Sequence, residues 1–218
     1  MLLVNKLRNV LVLFLLFCIS CKDSAMNSNT NRHLQIKDPR QSKVLIDSST
    51  RFLSDGCLVL RKGNDVISDI FSQLNRNDPS FSHCGIAFFE RQQWMVYHSI
   101  GGEDNPNQKL RRDSFEKFVI PSDNTGFGIC NLQLKKHEIG KLHHIVDSLF
   151  QQEIPFDMQF DLQSNDRLYC AEMVYKAIQQ AVENDSLFTV TMHKGFSFVS
   201  TDNLFVNKQA QILCRINY

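Results

Sequence analysis

Residues 165–175, which read NDRLYCAEMVY, contain the transition around which the rest of this chain is organised. A polar turn ends at Cys170, and from there small and apolar side chains recur at helical spacing, so the pattern predicts a helix that begins at Cys170. The first turn of a helix offers unpaired backbone N–H groups and the positive end of the helix dipole, and both stabilise an anion. A thiol placed there with an imidazole nearby has a lowered pKa and can act as a nucleophile. The alternative is a buried structural cysteine, since free cysteine is among the most buried residue types.

Two predicted strands carry the imidazoles that such a thiol requires. Residues 82–89 (SHCGIAFF) and 94–100 (WMVYHSI) flank a polar turn, and a hairpin centred there pairs residues whose numbers sum to 183. Gly85 then lies opposite His98, and His83 is the diagonal neighbour of His98 on the same face, because strand side chains alternate. Diagonal neighbours lie roughly 7–8 Å apart at the backbone, within reach of two imidazole rings. A longer turn or a bulge would break this contact.

The N-terminus has the composition of a secretory signal. Lys6 and Arg8 precede an apolar run that ends in CISC at residues 18–21, and the run is too short to span a membrane. The ending resembles a bacterial lipobox, in which the final cysteine, here Cys21, is lipidated and becomes the new N-terminus. We therefore expect a protein of the bacterial cell envelope that is anchored by lipid at the outer membrane or the cell surface. An uncleaved anchor or an ordinary signal peptide is the alternative.

The composition predicts three segments. Residues 1–20 are expected to be the signal peptide, residues 21–45 a polar, flexible tether, and residues 46–218 a single domain. The chain of 218 residues is 43% hydrophobic and carries a formal net charge of +1. That balance allows a sizeable core and argues against a nucleic-acid-binding protein.

The cysteine count predicts a free thiol in the domain. Five cysteines remain once the signal and the lipidated residue are set aside: Cys57, Cys84, Cys130, Cys170 and Cys214. An odd number without close spacing argues against a zinc site and against a complete disulfide framework. Cys84 alternates with His83 along its strand, so we expect it to face the core.

A thiol at a helix start and two histidines on neighbouring strands make the arrangement of nucleophile, base and orienting residue. In this hypothesis Cys170 attacks a carbonyl, His83 takes and returns the proton, and His98 fixes the tautomer of His83. The backbone N–H of Cys170 is a natural donor to an oxyanion. An ion pair with His83 is expected to lower the pKa of the Cys170 thiol.

Two motifs resemble those of the permuted papain-like amidases, the YiiX/YebB-like relatives of the NlpC-type peptidases and of the lecithin:retinol acyltransferase-like group. SHCGI at 82–86 is similar to the SHVGI strand of that family. FDMQFD at 156–161, followed by LYCAEMV at 168–174, is similar to its FD..FD…YCSELV segment. The resemblance covers residues 50–205 and implies that Cys170 is the nucleophile, His83 the base and His98 the third polar residue.

This chain departs from the family pattern at two positions. Many members carry Glu where this chain has His98, and the usual Gly-Asp opening of the first strand is Gly56-Cys57 here. Three residues near the nucleophile are candidates for substrate binding: Asp157, Asp161 and Tyr169. The two aspartates either line the cleft and bind a cationic substrate group or face solvent. Glu172 matches the family's SE pair and is expected to anchor local structure.

We therefore predict an α+β domain of the permuted papain-like (NlpC-type) fold, with a small antiparallel sheet packed against helices. The expected function is cleavage of an amide or ester through a cysteinyl acyl-enzyme, with a peptidoglycan peptide, an N-acyl amino acid, an amino-acid amide or a lipid as substrate. No cofactor is expected, and the oligomeric state is left open. The alternatives are a lipid acyltransferase, a non-catalytic binding module of the same fold, and a zinc site formed by His83, His98 and Cys170.

Overall fold

The computed structural model describes residues 39–184, 186–193 and 195–218. The helices are α1 (Pro39–Ser49), α2 (Val66–Gln73), α3 (Phe115–Phe118), α4 (Lys136–Gln151), α5 (Cys170–Val182) and α6 (Thr201–Phe205), with a 3-10 turn at Thr50–Phe52. The strands are β1 (Leu58–Gly63), β2 (His83–Glu90), β3 (Gln93–His98), β4 (Arg111–Ser114), β5 (Asn124–Leu132), β6 (Thr191–His193), β7 (Phe196–Phe198) and β8 (Ala210–Asn217).

An antiparallel sheet forms the centre of the described part of the chain. Its six strands run in the order β4-β3-β2-β1-β5-β8, and β6 and β7 form a separate hairpin. The predicted α+β class with an antiparallel sheet and helices is therefore confirmed.

The sheet is covered on both faces because strand side chains alternate between them. Leu58 and Leu60 of β1 pack on one face against α4 and α5, in a cluster that includes Leu142 and Val174. Val59 points to the other face and packs in a second cluster with Ile46, Phe115, Phe118, Phe127 and Ile129. The helix that carries Cys170 therefore lies on one face, while Phe118 lies on the other.

The hairpin between β2 and β3 has the predicted register. Ile86 pairs with Tyr97 and Ala87 with Val96, so the residue numbers sum to 183 as expected. The two turn residues, Arg91 and Gln92, have φ angles of 46° and 68°, and positive φ at both positions is typical of the type I′ turn that favours two-residue hairpins.

The N-terminal boundary differs from the prediction. Helix α1 begins at Pro39 and buries Ser42 and Ile46, so the ordered domain extends into the segment 21–45 that was predicted to be a tether. Proline suits the first turn of a helix because the N–H that it lacks has no helical partner there. The predicted signal peptide and Cys21 lie outside the described residues. Within the described ranges, no helix is long and apolar enough to cross a membrane.

Candidate active site

The three predicted catalytic residues line one cavity of about 830 Å³. Cys170 enters it from the start of α5, His83 from the start of β2, and His98 from the end of β3. The cavity therefore lies at the edge of the sheet where these elements meet. Apolar side chains of α2 and of the segment before α5 form much of the remaining wall: Ile67, Phe71, Phe156, Met158 and Phe160.

The two histidines form the contact that the hairpin register predicted. His83 Nε2 lies 3.0 Å from His98 Nδ1, and both side chains are buried. Gly85 allows this approach, since a Cβ at that position would lie 3.1 Å from the Cβ of His98 and 2.7 Å from the carbonyl oxygen of Tyr97.

Asp113 extends this pair into a chain of three hydrogen-bonded groups. His98 Nε2 lies 3.1 Å from Asp113 Oδ2. An ionised carboxylate can only accept, so His98 Nε2 carries the proton and its Nδ1 is an acceptor. His83 must then donate from Nε2, which leaves His83 Nδ1 unprotonated. These hydrogen bonds thus select the tautomer of His83 in which Nδ1 is the basic nitrogen.

The protonation states of the three hydrogen-bonded groups are set by burial and by the neighbours of Asp113. Although burial acts in the opposite direction, hydrogen bonds from His98, Lys117 and Arg111 hold the pKa of Asp113 well below its usual range. Burial lowers the pKa of His98 to about 4, against the raising effect of Asp113. Burial, aided by the cationic side chains of Arg61 and Arg111, holds the pKa of His83 well below 6.5. Both imidazoles are therefore neutral near pH 7.

Sequence reasoning missed Asp113. It lies on β4, where His98 pairs with Arg111 and Val96 pairs with Asp113. Asp113 is therefore a diagonal neighbour of His98, in the same relation as His83 on the other side. The same alternation rule would have found it if the register of β4 had been known.

Cys170 occupies the predicted position at the start of a helix. Tyr169 is the N-cap, and Glu172 Oε2 accepts the backbone N–H of Tyr169 at 3.2 Å. The helix forms because Ala171, Val174 and Ile178 present an apolar stripe to the core. All five cysteines of the described ranges are free.

The pKa of the Cys170 thiol is lowered, as predicted, but chiefly by a different group. A hydrogen bond from the Cys84 thiol makes the largest contribution, burial opposes it, and backbone N–H groups together with the charge of Arg61 add to the lowering. An ion pair with His83 was the predicted cause. That ion pair requires a protonated His83, but His83 is buried and its pKa is too low for it to be protonated near pH 7. Cys84 is buried as expected, and burial holds its own pKa well above 9.0, so Cys84 keeps its proton and acts as the donor.

The three candidates for substrate binding have different positions. Tyr169 lines the cavity, and its hydroxyl accepts the backbone N–H of Val199 at 2.7 Å. Asp157 is buried and accepts the backbone N–H groups of Gln159 and Asp161, at 2.8 and 2.7 Å. Asp161 in turn accepts the N–H of Gln163 at 3.0 Å.

Neither Asp157 nor Asp161 belongs to the described cavity lining. The structure therefore places neither carboxylate at this cavity, and their binding of a cationic substrate group stays a prediction. Their hydrogen bonds shape the loop that leads to Cys170.

Glu172 anchors the turn before the nucleophile, as the sequence suggested. Its Oε1 lies 2.8 Å from Lys176 Nζ. Lys176 also reaches the carbonyl of Ser164, and it lies 2.9 Å from Asn165 Oδ1. Burial raises the pKa of the Glu172 carboxyl to about 7, even though Lys176 acts in the opposite direction.

The donor set does not fit the zinc alternative. In the described ranges, no group of three or more His, Cys, Asp or Glu side chains is arranged to hold a metal ion. Both ring nitrogens of His98 and one of His83 are already engaged in the hydrogen-bonded chain.

Comparison with protein-family models and with curated proteins finds no match. Among solved structures, the crystal structure of the metalloprotein yiiX from Escherichia coli O157:H7 (DUF1105) is similar to this chain, with a TM-score of 0.62 and 16% sequence identity. The similarity covers 76% of this chain and 98% of that one. At this level of identity it shows a shared α+β fold.

Proposed function

We propose that this protein is a thiol hydrolase that cleaves an amide or ester bond through an acyl-enzyme on Cys170. One observation carries the proposal: the chain from Asp113 through His98 to His83 ends in the cavity that holds a thiol of lowered pKa at a helix start. The fold shared with yiiX supports the permuted papain-like arrangement, in which the histidine strand precedes the cysteine helix.

In the proposed reaction Cys170 Sγ attacks the substrate carbonyl while its proton passes to His83 Nδ1. The oxygen of the tetrahedral intermediate accepts a hydrogen bond from the Cys170 backbone N–H, which has no intrahelical partner at the helix start. The intermediate collapses to a thioester, and His83 returns the proton to the departing amine or alcohol. His83 then takes a proton from water, whose oxygen attacks the thioester and releases the acid and the thiol.

Asp113 supplies the negative charge that this cycle needs. Each time His83 accepts a proton, a buried site becomes cationic, and burial disfavours that form. The imidazolium donates to His98 Nδ1, and His98 donates to Asp113, so the new positive charge is stabilised along the chain. The established role of the third residue in such triads is to fix the tautomer of the base and to stabilise its imidazolium.

The proposal includes an envelope location through lipid on Cys21. It is supported by the lipobox-like sequence at residues 18–21. A peptidoglycan peptide, an N-acyl amino acid, an amino-acid amide or a lipid is a substrate consistent with that location. A lipid acyltransferase would use the same acyl-enzyme and differ only in the acceptor.

An activated ester tests the acyl-enzyme without knowledge of the natural substrate. With p-nitrophenyl acetate, we expect a burst of about one equivalent of p-nitrophenol and an acetyl mass on the peptide that contains Cys170. Cys170→Ser and His83→Gln should lose the burst. The matched control, His144→Gln, removes an exposed histidine and should retain it. Acetylation spread over several side chains, or a burst that survives in His83→Gln, would leave the non-catalytic binding module as the better account.

A further inference from the structure

Arg61 lies opposite the proposed base, His83, on the neighbouring strand of the sheet. In the pairing of β1 with β2, Arg61 is opposite His83, so both side chains point to the same face. The guanidinium lies 4.8 Å from the centre of the Phe118 ring, and Phe118 also contacts both histidines. Arg61 and Cys170 line the same cavity.

The hydrogen bonds of Arg61 within the described ranges go only to neutral acceptors. Nη1 donates to the carbonyl oxygen of Phe118 at 3.3 Å and to Asn124 Oδ1 at 3.2 Å, and both acceptors are neutral. Nε is buried and has no hydrogen-bond partner among the described residues. Arginine remains protonated even where burial lowers its pKa, as it does here. A largely buried cation without a hydrogen-bonded anion is costly, so an anion that binds beside Arg61 would be stabilised.

Among the described residues, no carboxylate of the cavity wall forms an ion pair with Arg61. Asp113 is bound by His98, by Arg111 at 2.7 Å and by Lys117 at 2.9 Å. Asp65 caps α2 by accepting from the backbone N–H and the hydroxyl of Ser68. Asp123 acts on Arg61 through its charge, but no ion pair joins the two side chains within the described ranges. Because Nη1 is engaged and Nε is buried, Nη2 is the nitrogen of the guanidinium that is left for a ligand.

We propose that Arg61 binds a carboxylate of the substrate close to the scissile bond, a role that rests on the proposed hydrolase function. The substrate class is then an acyl compound with a free carboxylate near the cleaved carbonyl, in preference to its neutral amide or ester. A guanidinium N–H group donates a charge-assisted hydrogen bond to a carboxylate oxygen, which makes recognition directional. This reverses the charge preference that Asp157 and Asp161 suggested from sequence.

Two alkylating reagents that differ by one charge test this role. The rate of Cys170 alkylation is measured with iodoacetate and with iodoacetamide on the full-length protein, by peptide mass spectrometry at about pH 7.5. We expect Arg61→Gln to reduce the ratio of the iodoacetate rate to the iodoacetamide rate about tenfold, which corresponds to about 1.4 kcal/mol. Arg61→Lys should retain most of the ratio, because it keeps the charge. Lys62→Gln is the matched control, since Lys62 is the next residue of β1 and pairs with Asp69 outside the cavity.

Protection of Cys170 in the unmodified protein gives a second test that does not depend on a variant folding. N-acetylglycine should slow alkylation by iodoacetamide, whereas N-acetylglycinamide at the same concentration should not. An unchanged ratio in a folded Arg61→Gln variant, or equal protection by the amide or by inorganic phosphate, would overturn the carboxylate site and leave the hydrolase proposal intact. A Cys170 that is inert to both reagents would overturn the hydrolase proposal itself.

Discussion

Lowering the pH is predicted to destabilise the fold through His98. The side chain of His98 is 2% exposed, and burial holds its pKa at about 4, compared with about 6.5 in an unfolded chain. Between these two values the unfolded state binds a proton that the folded state does not, so the free energy of unfolding falls as pH falls. For one site with these pKa values, the loss between pH 7.5 and pH 5 is about 2 kcal/mol.

Urea unfolding of the unmodified protein and of His98→Gln at these two pH values isolates this contribution. Glutamine does not titrate, so the stability advantage of the unmodified protein over the variant should shrink by about 2 kcal/mol at pH 5. The comparison is needed because His83 acts in the same direction, whereas Glu172, with its raised pKa, acts in the opposite one. His144→Gln, at an exposed position, should show no such change.

A constant difference between the two proteins across this range would refute the reasoning. It would mean that His98 titrates equally in the folded and unfolded states. The imidazole would then not be held neutral by burial, and the assignment of tautomers from Asp113 to His83 would lose its basis.

Three further variants test the site. Asp113→Asn should slow acetylation of Cys170 by p-nitrophenyl acetate roughly 10- to 100-fold, the usual effect of removing a supporting hydrogen-bond partner. The circular dichroism spectrum should stay unchanged. Acetylation at the normal rate would contradict the role of Asp113 in supporting His98 and His83. Cys84→Ala should raise the pH midpoint of Cys170 alkylation by about one unit, because one hydrogen bond to a thiolate is lost, and an unchanged midpoint would refute that contact. As pH rises from 5 to 8, the free energy of unfolding of Glu172→Gln should increase by about 2.5 kcal/mol relative to that of the unmodified protein, because the raised carboxyl pKa contributes stability that is lost across this window. Urea unfolding that shows no such increase would contradict it.

Features of the site that depend on local geometry were predictable from the sequence. A two-residue turn determines the hairpin register, so the contact between His83 and His98 followed from counting residues. The start of α5 at Cys170 followed from the change between a polar turn and an apolar stripe. In both cases the relevant residues are close in the chain or joined by a short connection.

Features that depend on distant pairings were not predictable in the same way. Asp113 reaches His98 only because β4 pairs with β3 across the long segment after His98, and no local rule gives that register. Arg61 meets His83 across two strands separated by α2. The contact between Cys84 and Cys170 required the position of α5 on the sheet. The backbone hydrogen bonds of Asp157 in the FDMQFD segment could not be predicted either, because they form only in the folded loop.

The most direct test of the central claim is the alkylation of each cysteine by iodoacetamide as a function of pH, in the full-length protein. We predict that Cys170 reacts well below the ordinary thiol pKa of about 8.5. Cys57 and Cys130 should stay unreactive at neutral pH, because burial raises their pKa values to about 11 and about 12, and buried Cys84 should stay unreactive as well. A Cys170 that reacts no faster than Cys84 across the whole range would contradict its assignment as the nucleophile.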